Sequence, residues 1–307
     1  MRFWQSASIL LILANLFWSA NIVLGRGIAG VVPPIALAYW RWTGAFLVAI
    51  GFAWPHLKRD ARTMLRQWPL MLVLSATGIA CYNAMCYIGL TSTTALNALL
   101  LQSVNPLIVI LWVFALFSER PTLPQATGIL ISFLGVVVVA GNGSLTALLH
   151  LGVNRGDIWI LAAIVICGAY AALFRHRPAV HPLSFLVATM GIGSCMILPF
   201  YLGEIAFGAP IHSSWEAWLS VAYIAVFPSF IAYLLYNRGI ELIGAARASQ
   251  SMHLMPVFGS IMALLFLGER FRTYHAVGIS LVAAGILLAS WKAAPTARLA
   301  ARHDLRT

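Results

Sequence analysis

Apolar runs of about 20 residues, parted by short polar or basic stretches, recur along nearly the whole chain. A helix needs about 20 mostly apolar residues to cross a hydrocarbon core of about 30 Å, where a free backbone amide finds no water. Ten segments meet that need: Ala7 to Ile28, Ile35 to Trp54, Pro69 to Gly89, Thr94 to Phe117, Leu123 to Gly141, Asp157 to Phe174, Pro182 to Gly203, Trp215 to Asn237, Gly244 to Leu267 and Thr273 to Trp291. The pattern predicts an all-α membrane protein of ten transmembrane helices. The first run follows Arg2 and so begins like a signal peptide. Its apolar stretch exceeds the roughly 7–15 residues of a signal core, and it is read as a span.

Composition agrees with the pattern. With 61% hydrophobic and 9% charged residues, the chain falls far from the roughly 25% charged residues of soluble domains, which excludes a water-facing surface over most of the molecule. A net charge of +11 would suggest a nucleic-acid partner in a soluble protein. Here the basic residues lie between the apolar runs: thirteen Lys and Arg fall on the side of both termini and four, Arg26, Arg155, Arg270 and Arg272, on the other. The positive-inside rule then places both termini in the cytoplasm, with no nucleic-acid partner. Cys81, Cys86, Cys167 and Cys195 all lie inside apolar runs, without disulfide or metal spacing, and no metal or cofactor is expected.

The chain repeats itself at an offset of 150 residues. The stretch from Gly89 aligns without gaps on that from Gly239, and the stretch from Phe117 on that from Leu267. Matching pairs include Ala95 and Ala245, Ala98 and Ala248, Pro106 and Pro256, Glu119 and Glu269, Arg120 and Arg270, Gly128 and Gly278, and Gly135 and Gly285. The organisation read from this is a first five-helix repeat over 1–141, a linking loop over 142–156, a second repeat over 157–291 and a basic cytoplasmic tail over 292–307. Five is an odd number, so the second repeat starts from the opposite membrane face and the two are inverted. Inverted repeats are a common build of secondary transporters, whose halves rock about a site at the midplane.

The motif Ala-x-x-Ala, then Pro, then Glu-Arg, then Gly-x6-Gly, present twice over ten spans, resembles the EamA branch of the drug/metabolite transporter superfamily. Within it the chain is similar to the YddG-type exporters of aromatic and other amino acids. The resemblance implies the ten-helix inverted-repeat fold, a bacterial inner-membrane location and export of a small-molecule substrate.

The residues themselves nominate a site. Pro106 and Pro256 interrupt the fourth and ninth spans at matching points, and Gly78 and Pro228 form a second matched weak point in the third and eighth; these four are candidate hinges. Mid-span polar and aromatic groups are candidates for substrate binding, because lipid would leave them unpaired. They are Asn15, Trp18 and Asn21 on the first span, Tyr82 and Asn83 on the third, Gln102 on the fourth, Tyr170 on the sixth, Tyr233 on the eighth and His253 on the ninth. Rings with polar tips beside amides suit an amphipathic, partly aromatic solute such as an amino acid. Arg41 lies inside the second span and has three resolutions: snorkelling to the interface, meeting a helix C-terminus, or binding a carboxylate. The first two are the expectation. No Asp or Glu lies at mid-depth, so an acidic proton relay has no candidate. The absence of HExxH, GxSxG, Walker or Rossmann motifs argues against an enzyme. The expected partners are a small molecule and the lipid bilayer, with a monomer as the working unit.

Overall fold

The computed structural model describes residues 3–141, 143, 154–209, 211, 214–243, 248 and 251–290. The linking loop after residue 143, the basic tail, Arg247 and the start of the expected ninth span fall outside the described residues, as does the side chain of His253. Every regular element described is helical. In chain order these are α1 (Ala7–Gly27), α2 (Pro34–Arg66), α3 (Trp68–Leu90), α4 (Ala95–Gln102), α5 (Asn105–Phe117), α6 (Leu123–Ala140), α7 (Arg155–Leu173), α8 (Pro182–Ala206), α9 (Trp215–Ile243), α10 (Leu254–Leu267) and α11 (Thr273–Ser290). Among them, seven are long and apolar enough to cross a bilayer, and α4 with α5, bent by 42°, makes an eighth. The apolar helices α10 and α11 are shorter. The chain is a multi-pass membrane protein.

Two pairs of helices that correspond at the 150-residue offset pack against each other. Between α2 and α8, Glu204 bonds the amides of Ile35 and Ala36, Trp40 bonds Tyr201, Thr43 bonds Ser194, and Asp60 takes the His181 amide. One set of numbers rises as the other falls, so the two helices run antiparallel. In the same way α6 meets α11: Ser132 donates to the Val282 carbonyl at 3.2 Å, Gly135 faces the Gly278 carbonyl, and Gly285 faces that of Gly128. A Cβ at Gly135 would stand 2.8 Å from that carbonyl, so the backbones approach as only glycine permits.

Three carboxylates close the starts of neighbouring helices. The first amides of a helix have no partner within it and attract negative charge. Glu204 serves α2 at 3.1 and 2.7 Å, Asp60 serves the head of α8 at 3.0 Å, and Glu269 takes the amides of Ala95 and Leu96 at 2.8 and 2.9 Å. Glu269 therefore caps α4. Its counterpart Glu119 pairs with Arg175 at 2.9 Å in an exposed position.

Candidate functional site

The two matched weak points are segments of π-helix. In α3 the wider winding covers Ala76–Cys81, around Gly78; in α9 it covers Phe227–Ile231, around Pro228. Such segments release carbonyls from the helical ladder, and both sets find side-chain donors. Pro228 offers no amide to the carbonyl four residues back, that of Ile224, and Ser229 donates to it instead at 2.8 Å. Asn83 donates to the Ile79 carbonyl at 2.8 Å. The Pro228 carbonyl accepts from Trp18 Nε1 at 3.0 Å, which ties α1 to the unwound part of α9.

Arg41 joins the two segments. Its Nε donates to Ser229 at 2.6 Å, and its Nη1 reaches Asn83 Oδ1 and the Tyr87 hydroxyl at 2.9 Å each and Asn21 Oδ1 at 3.4 Å. Tyr87 in turn donates to Asn21 at 2.7 Å. The guanidinium lies 4.6 Å from the Trp42 ring centre. Arg41 is 5% exposed, so it neither snorkels nor meets a helix end, which corrects the expectation from sequence. The neighbouring helices supply neutral acceptors to its Nε and Nη1. None of these acceptors is a carboxylate; the ion pairs among the described residues are Arg175 with Glu119 and Arg238 with Glu241.

An aromatic wall adjoins this network. Trp18 meets Tyr233 edge-on at 5.5 Å and Tyr236 at 5.1 Å, and Trp42 meets Tyr233 at 6.5 Å. Tyr82 donates to Gln102 at 3.1 Å. Tyr82 and Tyr233 are both partly exposed. The structure thus brings Trp18, Asn21, Tyr82, Asn83, Gln102 and Tyr233 around one centre, from α1, α3, α4 and α9.

Other nominated residues lie elsewhere. Asn15 bonds the Leu11 carbonyl at 2.7 Å and Ser251 at 2.9 Å, and so faces the turn before α10. Three residues advance a helix by about 300°, so each step of three turns back by about 60°. Asn15 and Asn21 consequently differ by about 120° around α1 and face different neighbours. Tyr170 packs its ring over Gly78, where a Cβ would come within 2.5 Å of it. Pro106 and Pro256 each lie in the first turn of a new helix, after the break between α4 and α5 and after the turn Ser251–His253.

Sequence reasoning missed Ser229 and the centrality of Arg41. It also missed a polar chain at the other end of α4. Asp157, without exposed surface, accepts from Thr93 and from Asn97 (3.3 Å), while Asn97 Oδ1 meets His275 Nε2 at 3.0 Å. His275 Nδ1 accepts the Arg272 amide at 3.0 Å, which assigns its proton to Nε2. The 20-residue spacings between spans carry no signal for such a link. Among the described residues no group of three His, Cys, Asp or Glu side chains is arranged to hold a metal ion.

Residues 5–141 and 154–291 each match the EamA-like transporter family. The chain belongs to that family. A protein of Bacillus subtilis (strain 168) named "Uncharacterized transporter YyaM" is 28% identical, covering 92% of this chain and 92% of its own. A protein of Streptantibioticus cattleyicolor named "Probable terminal-alkyne amino-acid exporter" is 26% identical, covering 86% of this chain and 84% of its own. A protein solved by crystallography has the same fold, with a TM-score of 0.62 at 22% identity over 93% of this chain and 96% of that one. Relatives named as transporters fit a protein without catalytic activity of its own.

Proposed function

We propose that this EamA-family transporter exports small amphipathic metabolites, amino acids including aromatic ones foremost, across the bacterial inner membrane by alternating access. The observation that carries the reading is the meeting of two matched π-helical segments, around Gly78 and Pro228, at one cluster of amides and aromatic rings. Unwound helices at a solvated centre are the usual substrate site of transporters built from inverted repeats. The antiparallel contacts of α2 with α8 and of α6 with α11 support such an inversion, with α10 and α11 completing ten spans. Both termini then lie in the cytoplasm, where most of the basic residues are. Both halves of the site reside in one chain, which supports a monomer as the working unit. A relative named for amino-acid export favours that substrate class.

The test is uptake of a panel of labelled amino acids by the purified protein in liposomes, with and without a pH gradient. Saturable flux with counterflow, aromatic amino acids among the best substrates, is expected. Flux that neither saturates nor shows counterflow would indicate a channel, and no flux of any amino acid would reject the substrate class.

A further inference from the structure

A guanidinium inside a membrane bundle keeps its charge. Its charge needs an anion or water, and the acceptors around Arg41 are all neutral: Ser229, Asn83, Tyr87 and Asn21. They engage Nε and Nη1. The remaining nitrogen, Nη2, donates to none of the described residues and is not among the sealed, unbonded atoms of the interior. Beside it, the Trp42 indole on whose face the guanidinium lies has a buried Nε1 that likewise bonds nothing. That indole nitrogen is sealed, so Nη2 is the donor left open, on the face of a Trp42 ring that itself meets Tyr233. In the second half of the chain the position matching Arg41 is Gly191, so no second charge faces the first.

From this we infer that Arg41 is the receptor for the substrate's carboxylate, one anion per molecule, with Nη2 as the free prong of the guanidinium fork. The amino-acid identity of the substrate rests on the export reading; the anion requirement rests on the geometry alone. A carboxylate bound at Nη2 supplies the missing negative charge and directs the rest of an aromatic substrate toward Tyr82, Tyr233 and Trp18. The charge cannot be switched off, so a substrate without a carboxylate leaves it unbalanced.

The test measures binding to the unaltered, purified protein in detergent, by calorimetry and tryptophan fluorescence, with four probes: phenylalanine, 3-phenylpropanoate, phenylalanine amide and 2-phenylethylamine. The two carboxylates should bind, and the amide and the amine should bind at least about 30-fold more weakly. Arg41→Lys, which keeps the charge and loses the fork, should weaken the carboxylates, and Arg41→Gln should abolish the preference between acid and amine. The wild-type series decides the matter even where a substitution prevents folding. Equal binding of acids and amines, no binding of either carboxylate, or a carboxylate preference that survives Arg41→Gln would overturn the inference. Carboxylate binding without flux in liposomes would instead reject the export reading, and flux of amides equal to that of acids would leave export standing and remove the role of Arg41.

Discussion

Asp157 has no exposed surface, and its two oxygens are met by Thr93 and Asn97 alone. A group whose partners are themselves buried costs most when it is removed, because the donors left behind can find no water. Asp157→Ala should therefore lower stability by about 1–3 kcal/mol, read as a lower unfolding midpoint in detergent, whereas Asp157→Asn should recover much of it. At this scale Trp18, Asn21 and Asn83 were legible, because mid-span polar groups have few alternatives to an interior site. Arg41 was not. Whether an arginine snorkels or stays inside depends on acceptors from α1, α3 and α9, up to 188 residues away in sequence, and no local pattern records them. Asn15 was misjudged for a different reason: steps of three drift around a helix, and two of them suffice to turn a residue toward another neighbour.

Unwinding is what distinguishes α3 and α9 among the elements. Gly78 and Pro228 are legible as weak points, since one adds no packing and the other no amide. That the result is a π-helix was not legible, because it depends on Ser229 and Asn83 satisfying the released carbonyls. The same limit holds for Pro106 and Pro256, read as interruptions of a span and found at the starts of new helices. Gly78 is also where the Tyr170 ring lies closest to the backbone of α3. Gly78→Val should force the ring away, cost about 1–3 kcal/mol through overpacking, and reduce flux in liposomes while the protein remains monodisperse. A variant that transports at the normal rate would separate this contact from the transport path.

Across the whole molecule, composition and the recurrence of apolar runs made the membrane fold legible, and the 150-residue offset exposed its internal duplication. Span limits were less so. The chain bends by 42° between α4 and α5, because local turns and neighbouring side chains, not hydropathy, decide where a helix breaks. The offset does predict which helices are equivalents, and α6 and α11, which touch at Ser132 and Val282, are one such pair.

In the inverted carrier proposed above, contacts between equivalents lie on the dyad that relates the halves, and an exchange of shape between those halves leaves points on the dyad where they are. Helices α6 and α11 are in that sense the axle of the carrier, and clamping an axle does not stop a wheel. With Cys81 and Cys195 replaced, a short thiol crosslink through Ser132→Cys and Val282→Cys should leave turnover within about twofold of the uncrosslinked protein. The same crosslink through Asn97→Cys and His275→Cys, which joins helices that are not equivalents, should arrest it.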